Sequence, residues 1–192
     1  MARLIGCKDL HFAPLTTDTS SGLTYGTIKK IPSLVAIDIK DSSDSVVFYS
    51  DDVAEQTINT FANKEVTIEL GYLDPKLEAE ITGQKYENGV FIQEATPASK
   101  ELALMFKAEL STGGYQYVCL YKGVLKRDES AYKTKEESIE GQTVKLTGIF
   151  SPLANNGRVF IKANDSDSDN STLIGKWFTE VPKTIGGGRA KQ

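Results

Sequence analysis

The residues that could do chemistry are few and poorly placed for it. The single histidine, His11, would need a nucleophile and a carboxylate held around it to act as a base. Cys7 is four positions away, but the segment carrying both has no periodic scaffold to fix them. The other cysteine, Cys119, is far along the chain, so the pair reads as buried free thiols rather than a disulfide framework. One histidine and two distant cysteines do not make a zinc site. The run Asp165-Ser166-Asp167-Ser168-Asp169 opens like a calcium loop. Its sixth position is Asn170 where the turn wants glycine, and its twelfth is Lys176 where a bidentate glutamate belongs, so the motif fails. Gly186, Gly187 and Gly188 lie in a tail, not between a strand and a helix, so no phosphate loop is present. Glu65 and Glu69 share one strand face and resemble a glycosidase pair only in spacing. The expectation is a non-enzymatic chain with no catalytic, cofactor-binding or metal-binding residues.

Charge narrows the partners. The net charge is −4 over 192 residues, unevenly distributed. Residues 1–30 hold four bases and two acids, residues 31–110 six bases against fifteen acids, and residues 111–192 twelve bases against nine acids. An acidic middle between basic ends is a poor grip for nucleic acid, which needs concentrated positive charge. It suits head-to-tail self-association, where unlike surfaces meet. No apolar run approaches the ~20 residues that span a bilayer. Charges at Arg3, Lys8 and Asp9 interrupt any signal-peptide core, so synthesis and folding in a cytosol are expected.

The elements that must position these residues are mostly strands. Residues 1–22 read as an extended N-terminal arm with apolar anchors Leu4, Ile5, Leu10 and Phe12. Strands are expected over residues 23–31, 34–40 and 46–49, with a turn cluster at residues 41–44. Residues 64–72 alternate strictly: Val66, Ile68, Leu70 and Tyr72 on one face, Glu65, Thr67 and Glu69 on the other. One short helix follows, capped by Asp74, begun by Pro75, with Leu77 and Ile81 on one face and closed by Gly83. Asn88-Gly89 marks a hairpin, as does Asn156-Gly157. Residues 101–110 alternate as a strand. Residues 115–150 hold two apolar strands around a charged loop, residues 127–142. The first has Tyr117, Cys119 and Tyr121 on one face and Val118, Leu120 and Val124 on the other. Residues 173–181, with Trp177 and Phe178, read as a docking segment before a flexible tail. The fold class is therefore mainly β, a sandwich or partly open barrel with one flanking helix, an N-terminal arm and long loops. The domains are the arm 1–22, a single β domain 23–181, and the tail 182–192.

Five segments carry a resemblance: MARLIGCKDLHFAPLT, GLTYGTIKKI, LYKGVLK, YKTKEESIEGQTVKLTGIF and KWF. In that order and spacing the chain resembles the major tail proteins of long-tailed phages of Gram-positive bacteria, the phi13-type family. The resemblance implies a structural virion protein that forms hexameric rings. The rings stack head to tail into a tail tube through which viral DNA leaves without specific binding. It implies a tape measure protein and a tail terminator as further partners, no membrane, and a place in the virion tail after assembly in the host cytoplasm. It makes Glu65, Thr67 and Glu69 the first lumen-facing candidates and Thr143, Lys145 and Thr147 the second. Lys145 needs a neighbouring glutamate to suit a lumen. Inter-subunit candidates are Leu4, Ile5, Leu10 and Phe12 in the arm, and Arg127, Asp128, Glu129, Lys133, Lys135, Glu136 and Glu137 in the loop. Residues 41–56 are a third reaching segment. The alternatives are another ring component of such a tail, a terminator or connector, and a carbohydrate-binding β-sandwich using Trp177 as its aromatic platform.

Overall fold

The computed structural model describes residues 2–50, 53–129 and 142–183. Strand β1 (Leu4–Thr19) is the N-terminal segment. It is extended, as expected, but it is not a free arm: it pairs antiparallel with β8 (Leu102–Leu110) from Leu4↔Leu110 to Pro14↔Leu102. Leu10 and Phe12 are fully buried. The correction has a simple cause. The partner strand lies some ninety residues away, and local periodicity does not register pairing at that distance.

Short strands β2 (Gly22–Tyr25) and β3 (Lys29–Lys30) both pair with β1. Long strands β4 (Leu34–Ser50) and β5 (Val53–Leu70) form a hairpin joined by two residues. Helix α1 (Pro75–Thr82) follows, then a small hairpin of β6 (Lys85–Glu87) and β7 (Val90–Ile92). Beyond β8 come β9 (Tyr115–Glu129), β10 (Val144–Phe150) and β11 (Phe160–Asn164). A second, five-residue helix, α2 (Ser171–Gly175), adds to the single helix expected. The main sheet runs β2-β1-β8-β9-β10-β5-β4, with β11 on β9 and β3 on β1. It curls so that the start of β1 nears the start of β4, where the Cys7 thiol lies 3.9 Å from the Val35 carbonyl. No ladder joins β4 to β1, so the barrel stays open.

Two cores lie on opposite faces of this sheet. The larger gathers Leu10, Phe12, Val66, Ile68, Leu70, Leu104, Phe106, Val118, Leu120, Leu146 and Phe150. Helix α1 covers it with Ile81. The helix forms where its local signals stand: the Asp74 carboxylate accepts from the amides of Lys76 and Leu77, and Gly83 closes it at φ 74°. The smaller core holds Ala13, Ala103, Met105, Cys119, Tyr121, Trp177 and Val181. The segment expected to dock does so here: Trp177 is fully buried and donates its indole N–H to the Val118 carbonyl at 3.4 Å. Val181 and Pro182 are also buried, so the packed body runs past residue 181; residues 184–192 of the expected tail lie outside the described residues.

Bulges decide which face each residue takes, because one extra residue inverts the alternation beyond it. In β9 the pairing passes from Leu120↔Leu104 to Gly123↔Leu102. Beyond this point Leu125 joins the larger core, and Val124 falls opposite Ile149 on the outer face. Val124 therefore does not share a face with Val118 and Leu120 as the simple alternation predicts. In β1 a bulge between Lys8 and His11 holds Asp9 at φ 56°. Its carboxylate meets Lys30 at 2.7 Å and Lys107 at 2.8 Å.

These two lysines hold the Asp9 carboxyl down at about 2, from an ordinary 3.8, against a smaller upward push from burial. A depressed carboxyl contributes stability above its unfolded value and loses it as pH falls through the folded one. Asp9→Asn is therefore expected to cost about 1–2 kcal/mol at neutral pH, after allowing for partial solvent screening. Denaturant titrations of variant and parent should converge between pH ~4 and ~2. A constant difference across that window would contradict the assignment.

Candidate functional site

Glu65, Thr67, Glu69, Thr143, Lys145 and Thr147 lie together on one side of the sheet, with the Thr147 hydroxyl buried and without a hydrogen-bond partner among the described residues. Val66, Ile68 and Leu70 point into the larger core, which turns Glu65, Thr67 and Glu69 to the other face of β5. The register sets Lys145 opposite Glu69, Thr147 opposite Thr67 and Ile149 opposite Glu65. Thr143 donates to the Glu69 carboxylate at 2.6 Å. On the next strand Asp38 lies beside Thr67 and Lys40 beside Glu65. On the other side Lys126 lies beside Thr147. Three acids, Asp38, Glu65 and Glu69, and three bases, Lys40, Lys126 and Lys145, share this face with threonines and the exposed Ile149. The face is mixed in charge rather than acidic; Lys145 stands opposite Glu69 in the register, but the Glu69 carboxylate accepts from Thr143 and forms no ion pair with Lys145 among the described residues.

A ribbon leaves this body at one end. Strand β10 pairs with β5 only from Leu70 to Lys64. Beyond Asp41↔Lys64, β4 and β5 continue as a two-stranded ribbon through nine further rungs, from Ser42↔Asn63 to Ser50↔Val53. At ~3.3 Å per residue that is about 30 Å of ribbon. Among the described residues no third strand pairs with it. At the other end of the same strands, Leu70 pairs with both Leu34 and Val144. The ends of the 129–142 connection emerge there, with Glu129 opposite Lys145. The turn expected at residues 41–44 is part of continuous β4, because Asp41, Ser42, Ser43 and Asp44 all have ladder partners on β5.

The inter-subunit candidates divide. Leu4 and Ile5 are each 61% exposed at the tip of β1 and remain available for docking. Leu10 and Phe12 are core residues of this chain. Arg127 turns inward, its guanidinium donating to both carboxylate oxygens of Glu78 on α1 at 3.0 and 2.8 Å. Glu78 is 5% exposed, a buried charge that leaves a costly orphan if its partner is removed. Asp128 is exposed. Lys133, Lys135, Glu136 and Glu137 lie outside the described residues.

The reactive side chains have structural surroundings. His11 stacks on Phe178 at 4.5 Å between ring centroids and donates its Nδ1 proton to the Asp9 carbonyl at 2.8 Å. Both cysteines are free; burial pushes the Cys119 thiol far up and raises Cys7 against an opposing hydrogen bond from the Ile37 amide. Trp177, the only tryptophan, is buried and offers no exposed platform. Among the described residues no cluster of His, Cys, Asp or Glu could hold a metal, and no helix is long and apolar enough to cross a membrane.

Sequence reasoning passed over Asp18. Its carboxylate accepts from Lys122 and from the amides of Ala154 and Asn155, each at 2.9 Å, tying the end of β1 to the turn after β10. Burial opposes its ionisation, yet these three donors outweigh burial and lower its pKa. An aspartate inside a Thr/Ser cluster gave no sign of such a distant role.

The geometry thus defines a mainly antiparallel β protein, a curled open sheet with two cores and a two-stranded ribbon extending from one end. No protein-family model matches the chain, and no curated protein matches it.

Proposed function

We propose that this chain is the structural subunit of a phage tail tube, assembling as stacked hexameric rings around a lumen through which viral DNA passes. The observation that carries the reading is the ribbon beyond Asp41↔Lys64. A two-stranded ribbon alone is marginal in water and exposes unpaired backbone on both edges. It calls for a partner surface, and a second copy of the same chain supplies one. The exposed Leu4 and Ile5 offer a further apolar contact. The mixed-charge face of Glu65, Thr67, Glu69, Thr143, Lys145 and Thr147 suits a lumen. Its mixed signs neither grip a polyanion nor repel it over long range. A tape measure protein inside and a terminator at one end follow from the same reading. The role is structural rather than catalytic.

Negative-stain imaging of the concentrated protein should show tubes. Replacing residues 43–61 by an Asn-Gly turn should leave the circular dichroism of a folded β protein and no tubes. Tubes from the shortened chain, or a parent that stays monomeric at high concentration, would overturn the proposal. Single rings that never stack would favour a terminator or connector instead.

A further inference from the structure

We propose that Lys64 is the positioning residue that fixes the direction in which the β4–β5 ribbon leaves the body. Lys64 occupies the last rung at which β5 is paired on both sides, with Phe150 on one side and Asp41 on the other. Directly beyond it the pairing passes from Ser42↔Asn63 to Ser43↔Phe61, a bulge with one extra residue on β5. Bulges bend and overtwist the strand that carries them. The ribbon's direction is therefore set by whatever holds the rung at its base.

Lys64 is built to hold that rung. It continues the core-facing row Leu70, Ile68, Val66, so its stem lies along apolar surface while its head reaches the core's rim. Its side chain is only 14% exposed. The ammonium pairs with the Asp41 carboxylate on β4 and sits 4.8 Å from the ring centroid of Phe160 on β11. One head group thus ties the ribbon's outer strand to β11, which pairs with β9 beyond the end of β10. A leucine there would fill the same space without a preferred direction. An ion pair and a cation–ring contact both fall off with angle and distance. The clamp is a property of the free subunit, so it stands or falls independently of tube formation.

The test places spin labels at Ser45→Cys on the ribbon and Lys162→Cys on the body, in a Cys7→Ser background. Cys119 is fully buried and stays unlabelled. The parent should give one narrow distance distribution. Lys64→Met keeps the stem and removes the charge; it should broaden or shift that distribution while melting within a few degrees of the parent. Lys64→Arg should restore the narrow distribution. Amide exchange at Ser42 and Ser43 should rise roughly tenfold in Lys64→Met, the ratio that a loss of ~1.4 kcal/mol produces. Asp41→Asn breaks the same ion pair from its more exposed side and decides the matter if Lys64→Met fails to fold. An unchanged narrow distribution in the folded variant, or in Asp41→Asn where that one decides, overturns the proposal.

Discussion

Trp177→Ala is expected to lower the unfolding free energy by about 3–5 kcal/mol, the range for deleting a large buried aromatic. Trp177 is the largest fully buried side chain and the anchor of the C-terminal segment over the smaller core. The core it belongs to mixes small residues, Ala13, Ala103 and Cys119, with Met105 and Tyr121, and the Tyr117 ring lies 5.6 Å away, so the vacated space would be refilled only in part. The segment's remaining holds are modest: Val181, the Phe178–His11 contact, and one hydrogen bond from Arg158 to the Lys183 carbonyl at 2.9 Å. The loss should therefore also be seen locally. Cys119 is inert while covered. In Trp177→Ala it should react with a thiol reagent under native conditions, at a rate set by opening of the segment. Trp177→Phe should lose less, and its thiol should stay slow. An unreactive Cys119 together with an unchanged denaturation midpoint would mean that the segment is held by something other than this indole.

Gly83→Ala should be the most damaging of the glycine substitutions, by about 2–4 kcal/mol, combining left-handed strain with a backbone clash. A methyl group there would come within 2.0 Å of the Ala98 carbonyl oxygen. Backbone cannot rotate away as a side chain can, so α1 or the 97–100 segment must shift, and Ile81 and Glu78 with it. Gly89 is the matched comparison. Its φ is 84°, close to the 74° of Gly83, but no atom lies within 4 Å of an added methyl. Gly89→Ala should cost only the conformational part, about 1–2 kcal/mol. Urea midpoints of the two variants separate strain from collision, and equal midpoints would contradict the assignment.

What was legible in the sequence was local. Asp74, Pro75 and Gly83 specify α1 within ten residues, and Asn88-Gly89 specifies its hairpin without help from the rest of the chain. The alternation over residues 64–70 sets the correct faces, because apolar residues there occupy one face only; Tyr72, expected on the same face, lies beyond the end of β5 and is exposed. Residues 102–110 read as a strand with one apolar face, but Ala103 and Met105 fill a second core on the other. Three things were not legible. The polar cluster at residues 41–44 imitates a turn, and only its ladder to β5 makes it a strand. The N-terminal segment looks like an arm because its bulge at Asp9 puts Leu10 and Phe12 out of phase with Cys7, which packs on the same core. Arg127 looked like a surface charge in a charged run. Its partner Glu78 lies on a helix forty-nine residues earlier, and no spacing rule connects them.

The alternation along β8 and β9 has a thermodynamic consequence. Leu102, Leu104 and Phe106 enter one core while Ala103 and Met105, between them, enter the other. Val118 and Leu120 are likewise interleaved with Cys119 and Tyr121. Each core is thus built on the reverse side of the same two backbones. Melting either one releases the rungs that the other depends on. The two cores are therefore a single cooperative unit: calorimetry should record one endotherm for the body, with the van't Hoff enthalpy equal to the calorimetric one.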